Sequence, residues 1–279
     1  MVIFGDILLA LLMLLPIGDL MLKQVYHQRI MQILLICAIL YHLLIFHMIG
    51  FKLGLAGSLT AIYALQCLLL SALILWQYRK NTPQAPLSKL FILWVPYGIG
   101  LALLGILIEL ILYHWSGSPP LSRISTNLDG KLISLHIYGA LLGYGLLELG
   151  AISALAVLIK RRILKMGAGS SLMFALSQKL PAMQEGAHLQ RLFLKYACII
   201  LGMTILSGMV VNWVQHGDIF TINHKILLGV FGFILGIVIY GFEYWRGIGG
   251  SKFAMALLII YLIFSLALPG VHLINALIS

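Results

Sequence analysis

The sequence predicts an all-α polytopic membrane protein with eight transmembrane helices and both termini on the outer side. Three observations carry that prediction. Of 279 residues, 62% are hydrophobic and only 9% are charged, against roughly 25% charged in a soluble domain, so the polar surface that solvates a globule is missing. The apolar residues form continuous runs about 20 residues long, not short alternating segments. Backbone in lipid must satisfy its own hydrogen bonds, and runs of this kind do so as helices and not as barrel strands. The third observation is that the basic residues alternate in density from one connection to the next.

The runs lie near 2–20, 30–51, 54–76, 90–113, 132–159, 193–214, 222–244 and 252–275. The first carries Asp6 near its start, lacks a basic leader and shows no small-residue cleavage site, so it reads as a retained span. Between spans 5 and 6 lies the one long connection, Lys160 to Arg191. Its Leu172, Phe174, Ala175 and Leu176 suit a short helix at the membrane interface, after which Pro181 restarts the chain. No repeat of 20–50 residues is present, and residues 1–279 read as a single transmembrane domain.

Orientation follows from charge. The connections after spans 1, 3, 5 and 7 hold 14 of the 18 Lys and Arg residues. Those after spans 2, 4 and 6 hold only Lys52, Arg123, Lys131 and Lys225. Positive-inside bias places the 160–192 segment in the cytoplasm and both ends outside. The net charge of +10 is thereby a topology signal with attraction to anionic lipid, and nucleic acid is not implied. Trp76, Tyr78, Trp94, Tyr97, Tyr244 and Trp245 mark the inner interface, and Tyr113, Trp115 and Trp213 the outer one. Cys37, Cys67 and Cys198 all fall inside spans with no CxxC spacing, which leaves no thiol-relay or covalent-haem motif.

With topology assigned, the histidines sort by side. His27 and His188 are cytoplasmic and His42 lies within span 2, while His47, His114, His136, His216, His224 and His272 fall at or near the outer face. Imidazole ligates haem iron and divalent transition metals. His136 shares a helical stripe with Gly139, Ala140 and Gly143, small residues that let a helix or a flat ligand approach closely. His272 follows Pro269 and Gly270, where a bent last turn can re-aim its side chain. Glu109 and Glu148 are acidic residues inside spans, where charge is costly and function is the default reading. With the outer histidines they support an alternative, a divalent-cation transporter or transporter-associated subunit.

No span carries the His pair about 13–14 residues apart that holds two haems in four-helix cytochromes. There is no HExxH, P-loop or dinucleotide fingerprint, and nothing argues for an enzyme.

Four segments together resemble a known family: LHIYGALLGYGLLELGAISALAVLIKRR, the stretch from Leu180-Pro181 to Ser207-Gly208, NHKILLGVFGFILGIVIYGFEYWRG, and LIFSLALPGVHLI. They are similar to the cytochrome c assembly membrane proteins of the CcsA, CcmC and HemX kind, and most to a short-looped branch of bacterial inner-membrane members. The resemblance covers residues 30–275. It implies a protein that binds haem b non-covalently at the outer face of the bacterial cytoplasmic membrane and works in haem handling with other cytochrome-maturation proteins. It also implies His136 and His272 as the axial ligands, with His224, Lys225 and Arg123 as candidate propionate or supporting partners. His42 corresponds to one member of an intramembrane histidine pair. Two departures accompany it: the tryptophan-rich loop is reduced to NWVQHGDIFTINHK, and the stretch near Phe242 lacks the second intramembrane histidine.

Overall fold

A computed structural model describes residues 88–90, 93–94, 97, 128–167, 171–217 and 224–266. Among these the chain is helical throughout, apart from turns, and contains no strand. A 3-10 turn at Ser88–Leu90 precedes α1 (Leu128–Met166), α2 (Ser171–Lys179), α3 (Met183–His216), α4 (His224–Arg246) and α5 (Gly250–Ser265). The segments Leu135–Met166, Met183–Gln215 and Ile226–Arg246 are long and apolar enough to cross a membrane, as a membrane protein requires. Spans 1–3, most of span 4 and the end of span 8 fall outside the described residues.

The central element is α1. Leu147, Leu149 and Ala154 are fully buried and Glu148 nearly so, and a helix buried on every side occupies the middle of a bundle. The opposite case is α4, whose Leu227, Phe231, Ile234, Val238 and Phe242 form an exposed apolar stripe. In a membrane protein such a stripe faces lipid.

Packing is antiparallel and in register. Along the α1–α3 seam, Gly139 lies against Thr204, Gly143 against Leu201 and Ser153 against Gln190. Gly143 is required by the approach: a Cβ there would stand 2.6 Å from Leu201 Cδ2. On its other side α1 packs on α5, with Leu257 against Gly150 and Phe264 edge-on to Tyr144 at 5.4 Å. Phe233 of α4 abuts Gly202 of α3.

The helix ends follow local chemistry. At the start of α3, Glu185 accepts a hydrogen bond from the Ala182 N–H at 2.9 Å and sits 3.7 Å from Lys89 Nζ. This is half a capping box, since Ala182 has no side-chain oxygen. α3 ends at Gly217, whose left-handed φ of 76° lets its N–H reach Trp213 O. The turn between α4 and α5 is tied to α3 by Glu243, which accepts from Ile248 N–H at 2.8 Å and from Arg191 Nη1 at 3.2 Å.

Two expectations need revision. Hydropathy starts span 6 near residue 193, yet α3 begins at Met183, because the first turns are polar and helical at once. Trp94, expected at the interface, is 1% exposed, and the Tyr97 hydroxyl bonds to that of Tyr261. Both aromatics belong to the protein interior. The short helix expected after span 5 is present as α2, with Met173 and Phe174 exposed.

Candidate functional site

His136 lies in the third turn of α1 and faces α3. Its Nδ1 is 2.9 Å from the Thr204 carbonyl oxygen and 3.2 Å from Ser207 Oγ. Ser207 Oγ itself donates to the same carbonyl at 2.9 Å. A carbonyl only accepts, and the serine hydrogen is already committed, so the proton in both contacts belongs to Nδ1. The neutral ring is then the tautomer with a lone pair on Nε2, and Nε2 forms no hydrogen bond among the described residues. A carbonyl that accepts from one nitrogen, fixing the ring and freeing the other, is the usual arrangement for an imidazole ligand.

The Cε1 side of the ring lies close against Gly208. A Cβ there would stand 2.7 Å from His136 Cε1 and 3.1 Å from Nδ1. Gly208 therefore sets how deeply the imidazole can sit, and Thr204 and Ser207 set its rotation. The Ser207-Gly208 pair was visible in the sequence only as a family-like segment. Nothing in the chain order links it to His136, which lies 71 residues from Ser207.

Two further residues belong to the same end of the bundle. His224 and Lys225 open α4 there, since α4 runs antiparallel to α3. His272, Arg123 and His42 lie outside the described residues, as does Glu109. Among the described residues no three His, Cys, Asp or Glu side chains converge on one point.

A second polar group lies deeper. Glu148, 4% exposed, stands twelve residues along α1 from His136, about 18 Å at the helical rise. Its carboxyl hydrogen-bonds the Tyr97 hydroxyl. Glu148 was readable from the sequence as a costly intramembrane acid, whereas its tyrosine partners were not.

No protein-family model matches the chain, and no solved structure matches it. A similarity is found to an uncharacterised 28.8 kDa protein from the 5′ region of a nifR3-like gene in Azospirillum brasilense, 30% identical over 158 residues. The match spans 56% of each chain, so the chain covers little more than half the length of that relative.

Proposed function

We propose that this chain binds haem b non-covalently at the His136 end of the bundle and takes part in haem handling for cytochrome c assembly. In this reading eight helices cross the bacterial cytoplasmic membrane with both termini outside, and the His136 end is the outer face. The protein is a binding and handling component, without a reaction of its own, that works beside other membrane or cytochrome-maturation proteins. His136 and His272 would hold the iron. His224, Lys225 and Arg123 would meet the propionates, and His42 would serve a second position deeper in the membrane.

The observation that carries the reading is the His136 Nδ1 hydrogen bond to Thr204 O, which keeps Nε2 available to a ligand.

The test is the absorption spectrum of the detergent-purified protein before and after haem addition. A shifted Soret band that is lost in His136→Ala/His272→Ala is expected. An unshifted band, or one that survives the double change, would remove the assignment.

A further inference from the structure

Glu148, Tyr97 and Tyr261 come from three separate stretches of chain and meet inside the segment Leu135–Met166. The Tyr97 hydroxyl is shared: it hydrogen-bonds the Glu148 carboxyl on one side and the Tyr261 hydroxyl on the other. Ser265, one turn along α5, donates to the Tyr261 carbonyl oxygen at 2.8 Å and stands beside the Tyr261 hydroxyl. The order carboxyl, phenol, phenol is a row of oxygens each able to give one proton and accept another.

We propose that this row is a proton-exchanging site within the membrane, with Glu148 as the group that takes up and releases the proton and the two tyrosines as its relay. In the loaded state Glu148 O–H donates to Tyr97, and Tyr97 O–H donates to Tyr261. On release, the Tyr261 proton passes to a water molecule or buffer base, Tyr261 receives the Tyr97 proton, and Tyr97 receives that of Glu148. One O–H bond forms as one breaks on each phenol, Glu148 ends as carboxylate, and nothing is oxidised or reduced. Reloading runs the same steps backwards.

The surroundings favour this use over a mere clamp between helices. A plain clamp needs no ionisable group, and a carboxyl inside a spanning helix is expensive to keep. The titratable groups facing Glu148 among the described residues are phenols, Tyr97 and Tyr261 of α5. At this level α3 presents Leu194 and Ala197, both buried, with Lys195 exposed on another face. Ser265 lies on the side of the row toward the His136 end, since α5 runs antiparallel to α1. The relay therefore leads toward that end. It stands independently of haem, because none of its residues belongs to the haem reading.

Infrared difference spectra of the lipid-reconstituted protein between acidic and alkaline pH test the proposal. A carboxylic-acid carbonyl band that disappears in Glu148→Gln is expected, along with its shift on transfer to heavy water. In Tyr97→Phe and Tyr261→Phe the band should persist while its deuterium exchange slows at least about tenfold, or about 1.4 kcal/mol of barrier. A pH difference spectrum without a Glu148 band, or exchange equally fast in both phenylalanine variants, would overturn it. Should the variants fail to fold, the unaltered protein serves: dicyclohexylcarbodiimide, which attacks protonated carboxyls in apolar surroundings, should label Glu148 less as pH rises. Labelling that is absent from Glu148, or insensitive to pH, counts against the site.

Discussion

The Nδ1 of His136 donates to the main-chain carbonyl of Thr204 across 2.9 Å, joining residues 68 apart in the chain. Because that acceptor is backbone, no side-chain substitution at Thr204 removes it directly. What can be changed is the depth at which the ring sits.

Gly208→Ala is therefore the sharpest probe of the His136 site. The added methyl would stand 2.7 Å from His136 Cε1, so the ring must move off the Thr204 carbonyl. The proposed haem affinity should fall at least about tenfold, or about 1.4 kcal/mol. Ser207→Ala, which leaves the carbonyl in place, should fall less. A haem titration followed at the Soret band measures both, and equal affinity for Gly208→Ala and the parent would separate the ring position from binding.

At the centre of the bundle, Gly143→Val should destabilise by about 1–3 kcal/mol through overpacking against Leu201. Adding Leu201→Ala should recover part of the loss. Gly229→Ala is the control, because nothing lies within 4 Å of a Cβ there. It should be neutral or gain up to about 1 kcal/mol from helix propensity. Thermal unfolding in detergent ranks the three.

Glu243 holds the turn after α4 through Ile248 N–H and Arg191. Its side chain is 5% exposed and that of Arg191 is 47% exposed. Glu243→Ala leaves a donor without its acceptor and should cost about 1–3 kcal/mol. Arg191→Met removes a half-exposed guanidinium while Glu243 keeps its Ile248 N–H, and should cost about 0–1 kcal/mol. Hydrogen exchange at the Ile248 amide should quicken in the first variant and hardly change in the second.

Gln190 is fully buried, and its Oε1 has no hydrogen-bond partner among the described residues, while its Nε2 reaches Ser153 O at a long 3.3 Å. Replacing an unsatisfied buried amide by an apolar side chain of similar size is nearly neutral or stabilising. Gln190→Met should thus leave the melting temperature unchanged or raise it. A clear fall would mean that the acceptor is satisfied in solution, by water for example.

Much of the fold is legible in hydropathy, though unevenly. Span 7 matches α4 closely, whereas α1 runs on through the basic residues Lys160 to Lys165 and ends at Met166, seven residues past the expected end of span 5. The start of α3 is hidden, since residues 183–192 are helical and polar together. Trp94 and Tyr97 mislead for a related reason. An aromatic beside a run of apolar residues reads as an interface marker, and only its neighbours in space show that it is interior. His136 could be singled out by its small-residue stripe, but not the carbonyl that orients it.

By itself the sequence determined the helical class, the presence of segments long and apolar enough to cross a membrane, and the ionisable groups inside them. These depend on composition and period along one stretch of chain. Which nitrogen of His136 is left free, and that Glu148 meets Tyr97 and Tyr261, was decided only by tertiary structure. Such contacts depend on the rotation and register of one helix against another. That register is set by where Gly143, Gly150 and Gly208 let neighbouring side chains approach, and no local pattern encodes the partner.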